Sequence, residues 1–387
     1  MTTKMTMKVL CAAWVAGGCM ATQAYAQSSV QLYGLIDLGV THFTGIAPAN
    51  AGAGSTATAT TTALGSGVAA GSRLGVKGTE DLGGGQSAFF DVETGFCAAG
   101  LNQGAGVGAA ANATDYCGGG GFMQRQAFVG MSGDFGTIQG GRMYTLQFVN
   151  EVALVDPFGW GMTGAGANLS LLTQEPGLAR SNETVQYQAP TMGGFTGSAS
   201  YSFAPGAGGP VPGTTPSQSK VNRSWDLNLQ YHQGALTAGF NYGQSLNLVV
   251  NPATQVNDGA LRIWQVFGIY DFQVAKLSGI YNEGKLDYSS GKIDSWILGL
   301  TVPAGPGSVL ASYEATKNTT VAAGPSARQI AVGYDYPLSK QTDLYASYAN
   351  ISNSNGASFG GGDATDFFSG VANQSASGLA FGIRHQF

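Results

Sequence analysis

Charge is scarce in this sequence: Asp, Glu, Lys and Arg together make up 10 % of the residues. Long soluble helices carry helix-favouring and charged residues on a repeating face. That patterning is thin here, so a helical bundle is excluded. Beyond the N-terminal segment no uninterrupted apolar run reaches the roughly 20 residues that a membrane-spanning helix needs. Histidine is limited to the scattered His42, His232 and His385, which leaves no metal-ligating cluster and implies no cofactor. The formal net charge is −5 with no basic runs, which argues against a nucleic-acid partner. No G-x-S-x-G elbow accompanies the histidines. Gly104-Ala105-Gly106-Val107-Gly108 sits in loop-like sequence rather than between a strand and a helix. Neither catalysis nor nucleotide binding is expected. What is abundant is glycine, at 61 residues, with aromatics at 10 %. The aromatic content excludes a disordered chain, and Gly, Ser, Thr, Asn and Tyr spread along the length suit many strands and turns.

Lys4 and Lys8 precede an apolar run over 9–21, and Ala24-Tyr25-Ala26 supplies the small-x-small pattern of a cleavage site. The reading is a secretory signal over 1–26 followed by a single domain over 27–387. Lipoprotein processing at Cys19 is the alternative, weakened by the lack of the usual upstream Leu. Removing 1–26 takes away two lysines, two of the four cysteines and no acid. Cys97 and Cys117 remain, and in an exported protein they are expected to form a disulfide. The bridge would close a loop of roughly 20 residues and stabilise by about 3 kcal/mol in the chain-entropy picture.

The rest of the chain alternates strand-like segments with glycine-rich breaks, and each strand has two unlike faces. Over 195–203, Phe195, Gly197, Ala199, Tyr201 and Phe203 oppose Thr196, Ser198, Ser200 and Ser202. Trp225, Leu227, Leu229 and Tyr231 oppose Asp226, Asn228, Gln230 and His232, and at the C-terminus Leu379, Phe381, Ile383, His385 and Phe387 oppose Arg384 and Gln386. Such alternation fits any half-buried sheet, a soluble sandwich included. Two features weigh against the sandwich: the dyad recurs over most of the chain, and the connections alternate in length. Short ones are expected near 82–85, 134–136, 191–194, 233–234 and 339–342. Long ones are expected over 45–71, 97–121, 146–181, 204–222, 246–259 and 353–376. Short turns on one side and long loops on the other mark a membrane barrel. The expected fold is therefore all-β, an antiparallel transmembrane β-barrel of about sixteen strands with short periplasmic turns and long extracellular loops. In lipid the ring must close so that every backbone polar group is paired. A ring this wide cannot be filled by side chains and encloses water. Tyr201, Trp225, Trp296 and Tyr334 suit interfacial girdles.

The sequence resembles the general porins of Gram-negative bacteria, in their beta-proteobacterial and neisserial subgroup. The resemblance begins at Ser29-Val30-Gln31-Leu32-Tyr33-Gly34-Leu35-Ile36-Asp37. Its most specific run is Ser72-Arg73-Leu74-Gly75-Val76-Lys77-Gly78-Thr79-Glu80-Asp81-Leu82-Gly83-Gly84-Gly85. It continues through Phe135-Gly136, Gly141-Arg142 and Val274-Ala275-Lys276-Leu277-Ser278-Gly279 to the ending Gly382-Ile383-Arg384-His385-Gln386-Phe387. It implies a homotrimer in the cell outer membrane, in contact with lipid, that passes small hydrophilic solutes and ions. It also implies a third extracellular loop folded into the barrel, and a terminal Phe387 read by the barrel-assembly machinery.

The third long segment carries Glu151, Asp156 and Glu175 and the bend Pro157-Phe158-Gly159-Trp160-Gly161. The resemblance puts Arg73, Arg125, Arg142 and Arg180 on the eyelet wall, with Glu93 nearby. Such a wall facing an acidic loop would set a transverse field across the water column, and relatives with this arginine set lean towards anions. Parity along the strands gives Arg73 and Arg180 polar, lumen-side neighbours. Arg125 and Arg142 share parity with apolar residues, and an Arg facing lipid at midplane costs roughly 2–4 kcal/mol, so a bulge or rim position is expected for both. A substrate-specific channel on the same barrel, or an adhesion or receptor barrel, remains the alternative function.

Overall fold

The computed structural model describes residues 28–48, 51–52, 54–99, 123–174, 178–203, 223–250, 257–287, 289–365 and 367–387, with the backbone alone for 246–250 and 257–259. The expected signal segment 1–26, Cys117 and Glu175 lie outside the described residues.

The first strands are β1 (Ser29–Ile46), β2 (Ala59–Ser66), β3 (Arg73–Gly83), β4 (Gln86–Gly95), β5 (Gln126–Gly133) and β6 (Gly136–Tyr144). Next come β7 (Arg180–Gln188), β8 (Phe195–Ser202), β9 (Ser224–Gln233), β10 (Leu236–Val250), β11 (Asn257–Asp271) and β12 (Lys276–Leu286). The last are β13 (Lys292–Ala304), β14 (Gly307–Asn318), β15 (Ser326–Pro337), β16 (Thr342–Ser354), the short β17 (Phe359–Gly362) and β18 (Phe367–Ser369), and β19 (Ser375–Gln386). All but β17 and β18 form one antiparallel sheet that closes where β1 pairs with β19. β2 and β3 lie end to end along the same edge of β1, at 38–46 and 29–35 respectively, so the ring has sixteen positions. Phe387 completes the seam: its backbone exchanges hydrogen bonds of 3.0 and 3.1 Å with Gly34.

Three of the expected long loops are partly strand, 353–376 through β17 and β18. Residues 59–66 continue the sheet as β2, because their β-branched threonines pair across with Thr44 and His42. Over 246–259 the flanking strands extend to Val250 and restart at Asn257.

The outward face is oily, with Leu227, Leu229, Phe240, Val266, Leu298 and Phe381 among its exposed side chains. Aromatic pairs ring it at the long-loop end, including Trp225–Tyr242 at 5.5 Å, Trp264–Tyr281 at 5.1 Å and Trp296–Tyr313 at 5.0 Å between ring centres. Phe195–Tyr231 at 4.7 Å and Tyr270–Phe272 at 4.5 Å do the same near the short turns. These are the two interfacial belts of a membrane barrel.

The connection after β6 turns into the barrel. It carries α1 (Leu146–Val149), a wide π-type turn over Asn150–Val155, a tip at 156–163, a tight turn at Gly166–Asn168, and α2 (Leu171–Gln174). It docks on the inner face of β11–β13, where Val155, Leu171, Leu172 and Leu178 cover Leu261, Ile263, Phe267, Ile280, Leu286, Ile293 and Ile297. Each such burial stabilises by about 2 kcal/mol before ordering entropy is counted. The segment with β17 and β18 also reaches inward, Thr365 Oγ1 donating to Ser66 O at 2.8 Å.

Candidate functional site

The inward loop is set at its root by Thr145. Its backbone N–H donates to Ala179 O at 3.2 Å and its hydroxyl to Leu178 O at 2.6 Å, while the same oxygen accepts from Phe148 N and caps α1. The two strands leading in and out of the loop are thereby clamped together.

The two described loop acids, Glu151 and Asp156, do not face water. Glu151 is 0 % exposed and turns to the wall, where it accepts from Asn282 Nδ2 at 2.7 Å and from Trp160 Nε1 at 3.1 Å. Asp156 is 7 % exposed and accepts the backbone N–H groups of Phe158, Trp160 and Gly166 at 2.8–2.9 Å. That grip holds a tip in which Trp160 and Met162 take left-handed backbone angles of +61° and +56°. Burial pushes the Glu151 carboxyl up to about 7 and the Asp156 carboxyl up to about 6, against the hydrogen bonds that favour their charged forms. The expectation of an acidic loop face across the water column is corrected accordingly for Glu151 and Asp156. The loop instead turns Val149 and Ala153 to the lumen.

The arginines gather on the opposite side. Glu93, on the lumenal face of β4, lies 2.5 Å from Arg125 Nε and 3.6 Å from Arg73 Nε. Arg125 precedes β5, and its Nη2 donates to Tyr144 Oη at 2.7 Å. Arg180 Nη2 donates to the same oxygen at 3.1 Å, its guanidinium 4.7 Å from the Tyr144 ring centre. Tyr144 stacks on Phe148 of the loop at 4.8 Å, and Phe148 meets Trp160 edge-on at 4.6 Å. Arg125 and Arg180 are 3 % and 8 % exposed, so they brace the seam between wall and loop. Arg73 keeps 33 % of its side chain open and Lys77, four residues on, is exposed with its ammonium 5.1 Å above the Tyr33 ring.

Arg142 sits where the register slips. Gly141 pairs with Thr184 but Met143 pairs with Ser181, so two steps on β6 match three on β7, and Glu183 takes a φ of +47°. This is a bulge. Arg142 donates from Nε to Gln124 O at 2.5 Å and from Nη1 to Asn182 Oδ1. The same bulge breaks the parity that gave Arg180 its polar, lumen-side neighbours, so that grouping is corrected: alternation does not run through an extra residue.

One part of the constriction escaped sequence reasoning. Between β2 and β3 the chain leaves the wall and turns inward over 67–72. Asp37 of β1, fully buried, holds this turn by accepting from Val68 N and Ala69 N at 3.1 Å and Ala70 N at 3.0 Å, and from Tyr345 Oη at 2.7 Å. Val68 O in turn accepts from Met162 N of the inward loop at 2.6 Å and from Ala364 N at 3.2 Å. Three inward segments thus meet on one carbonyl. The available signal was a lone carboxylate in an otherwise uncharged strand, at lumen parity beside Gly39, whose missing side chain leaves space for Tyr345.

Cys97 is disulfide-bonded, and the partner expected for it, Cys117, lies outside the described residues. Residues 11–356 match the family model described as Gram-negative porin. Outer membrane porin protein 32 of Delftia acidovorans is 31 % identical over 379 residues, 94 % of this chain and 95 % of that one. An outer membrane porin protein of Bordetella pertussis is 28 % identical over 426 residues, 99 % of this chain and all of the other. The solved anion-selective porin from Comamonas acidovorans superposes with a TM-score of 0.75 at 27 % identity, covering 93 % of this chain and 100 % of that one. Family members are channels. A closed sixteen-position barrel, oily outside and narrowed inside by its own loops, together with these matches over nearly its whole length, makes the chain a member of the Gram-negative porin family and an outer-membrane diffusion channel.

Proposed function

We propose that this channel passes small hydrophilic solutes without catalysis and carries anions more readily than cations. The observation supporting the preference is the asymmetry of the lumen. The loop acids Glu151 and Asp156 are turned away from water, whereas Arg73 remains partly open on the lumenal wall, with exposed Lys77 four residues along the same strand. Fixed charge at a narrow point sorts ions there, because the surrounding walls focus its field. Arg73, Arg125, Arg142 and Arg180, with Glu93, form the basic side of the constriction in this reading. The likeness to an anion-selective porin supports the same direction. The reading is tested by the zero-current potential across a planar bilayer under a salt gradient. Arg73→Ser should move it towards cation preference; an unchanged potential would place Arg73 outside the field that sorts ions.

The reading extends to assembly. Residues 1–26 act as a cleaved secretory signal and 27–387 form the single barrel. Cys97 bridges to Cys117. The barrel associates as a homotrimer, and Phe387 serves as the signal for the barrel-assembly machinery. Its backbone closure on Gly34 and its outward, partly exposed ring suit that role.

A further inference from the structure

Beneath the inward loop, between it and the inner faces of β5–β9, lies a chamber of about 250 Å³. Its wall is made of amides: Gln126, Gln139, Gln186, Gln188, Asn228 and Gln230. The loop borders it on one side with Val149 and Leu154, and Phe128 and Met143 continue this apolar surface on the wall. None of its lining side chains among the described residues carries a charge. Among the described residues, the side-chain amides of Gln126, Gln186, Gln188 and Gln230 make no hydrogen bond within the protein. Gln188 ends β7 at the 189–194 turn and Gln139 lies just after the β5–β6 turn, which sets the chamber on the short-turn side of the constriction.

We propose that this chamber is a retention site for a small uncharged polyhydroxy solute, a single sugar ring in size. The proposal rests on the channel reading above and adds a binding step to it. Each amide offers two N–H donors and a carbonyl acceptor, so adjacent glutamines match adjacent hydroxyls, which both donate and accept. The Val149, Leu154, Phe128 and Met143 side gives the C–H face of a pyranose an apolar surface to cover. An ion in the same place would exchange its hydration for neutral dipoles and find no counter-charge, while the Arg73 side of the lumen offers one. The volume lies below the roughly 300–1,000 Å³ of pockets for drug-sized ligands, and equals about eight waters at ~30 Å³ each. Each amide–hydroxyl bond replaces one to water, so the net gain per bond is small. Retention is therefore in the millimolar range, loose enough for the solute to leave.

The test uses the full-length protein in planar bilayers in molar potassium chloride, with glucose as probe. Glucose should lower the current beyond the fall in bulk conductivity, and this excess should saturate at millimolar to tens of millimolar concentration. Gln186→Leu combined with Gln230→Leu should raise the half-saturating concentration about tenfold, since two hydrogen bonds are removed. Gln188→Leu alone serves if the double variant fails to assemble, and heat-modifiable mobility on gels reports the folded barrel for each. Current that falls only with bulk conductivity at every glucose concentration overturns the proposal. So does a saturable effect whose midpoint stays fixed in the folded variants, which would place the sugar elsewhere. Absence of any ion current would instead overturn the channel reading itself.

Discussion

Replacing Asp37 by Ala should widen and destabilise the constriction although the residue touches no part of the water path. Its carboxylate accepts three backbone N–H groups from the inturned 67–72 segment and the Tyr345 hydroxyl, all between 2.7 and 3.1 Å. A hydrogen bond to a charged group contributes about 1.5–3 kcal/mol. The four bonds share one carboxylate and are not additive. Water entering the vacated space would satisfy part of what is lost. A net loss of about 3–6 kcal/mol for the docking of this segment follows, two to four powers of ten in its docked population. The wall should survive, because β1 keeps its pairing with β3, β2 and β19. The released segment carries Val68 O, the acceptor for Met162 of the inward loop and for Ala364, so the loop tip should loosen with it. Single-channel recording should then show larger mean conductance, excess open-channel noise and passage of larger polymers. Asp37→Asn, which keeps one accepting oxygen but sets an amide donor against backbone donors, should fall between. A folded Asp37→Ala channel with the conductance, noise and polymer cut-off of the parent would refute the idea that this carboxylate positions the eyelet.

Gly161→Ala should disturb the same junction from the other side, since an added Cβ would stand 1.8 Å from Ala69 O; conductance noise should rise while thermal unfolding of the barrel changes little. Tyr144→Leu removes the oxygen shared by Arg125 and Arg180 and should shift the zero-current potential as the two guanidinium groups rearrange, with heat-modifiable mobility on gels as the control for folding. The loop should also respond to pH. Glu151 is held near 7 when docked against about 4.5 when free, so the docked form binds more protons between those values and docking is favoured as pH falls. That contribution is complete below about pH 4.5 and is lost as pH rises through about 7. Open-channel noise should therefore grow from pH 5 to pH 8 in the parent and grow less in Glu151→Gln; identical pH profiles would show that Glu151 does not carry the effect.

Much of the barrel was legible because its physics is local. Alternation places Leu227 and Leu229 against lipid and Asn228 and Gln230 in the lumen, and a strand can be read one pair of neighbours at a time. The inner architecture was less legible because it breaks the equation of apolar with outward. Leu261, Ile263, Phe267, Ile280, Ile293 and Ile297 point inward, yet they are dry because the loop covers them. Parity also fails at the β7 bulge, where one extra residue between Ser181 and Thr184 reverses every inference drawn across it. The fate of the loop acids could not be read from their charge. Whether a carboxylate faces water or backbone N–H groups depends on where a chain of some thirty residues comes to rest.

Glycine records that resting place in a form the sequence does carry. At Gly299 a Cβ would lie 2.7 Å from Pro157 Cδ and 3.1 Å from Val155 O, and at Gly333 one would lie 2.8 Å from the Phe158 ring. Both glycines face the lumen from central strands, where glycine weakens pairing and is retained when another backbone approaches closely. A strand bordering open water has no such need, since a small polar side chain there would be solvated. Lumen-parity glycines in β13 and β15 therefore mark the stretch of wall against which the inward loop lies. Enlarging either should displace the loop without opening the barrel. Gly333→Val is the sharper case, because the ring it would strike belongs to the tip that Asp156 holds rigid. The displaced tip should leave the Val68 junction, giving the noisy, widened channel expected of Asp37→Ala from a residue three strands along the wall. Two unrelated perturbations converging on one electrical phenotype would establish that tip and inturn act as a single constricting unit. A quiet, parental channel in folded Gly333→Val would show that the tip is held independently of the wall.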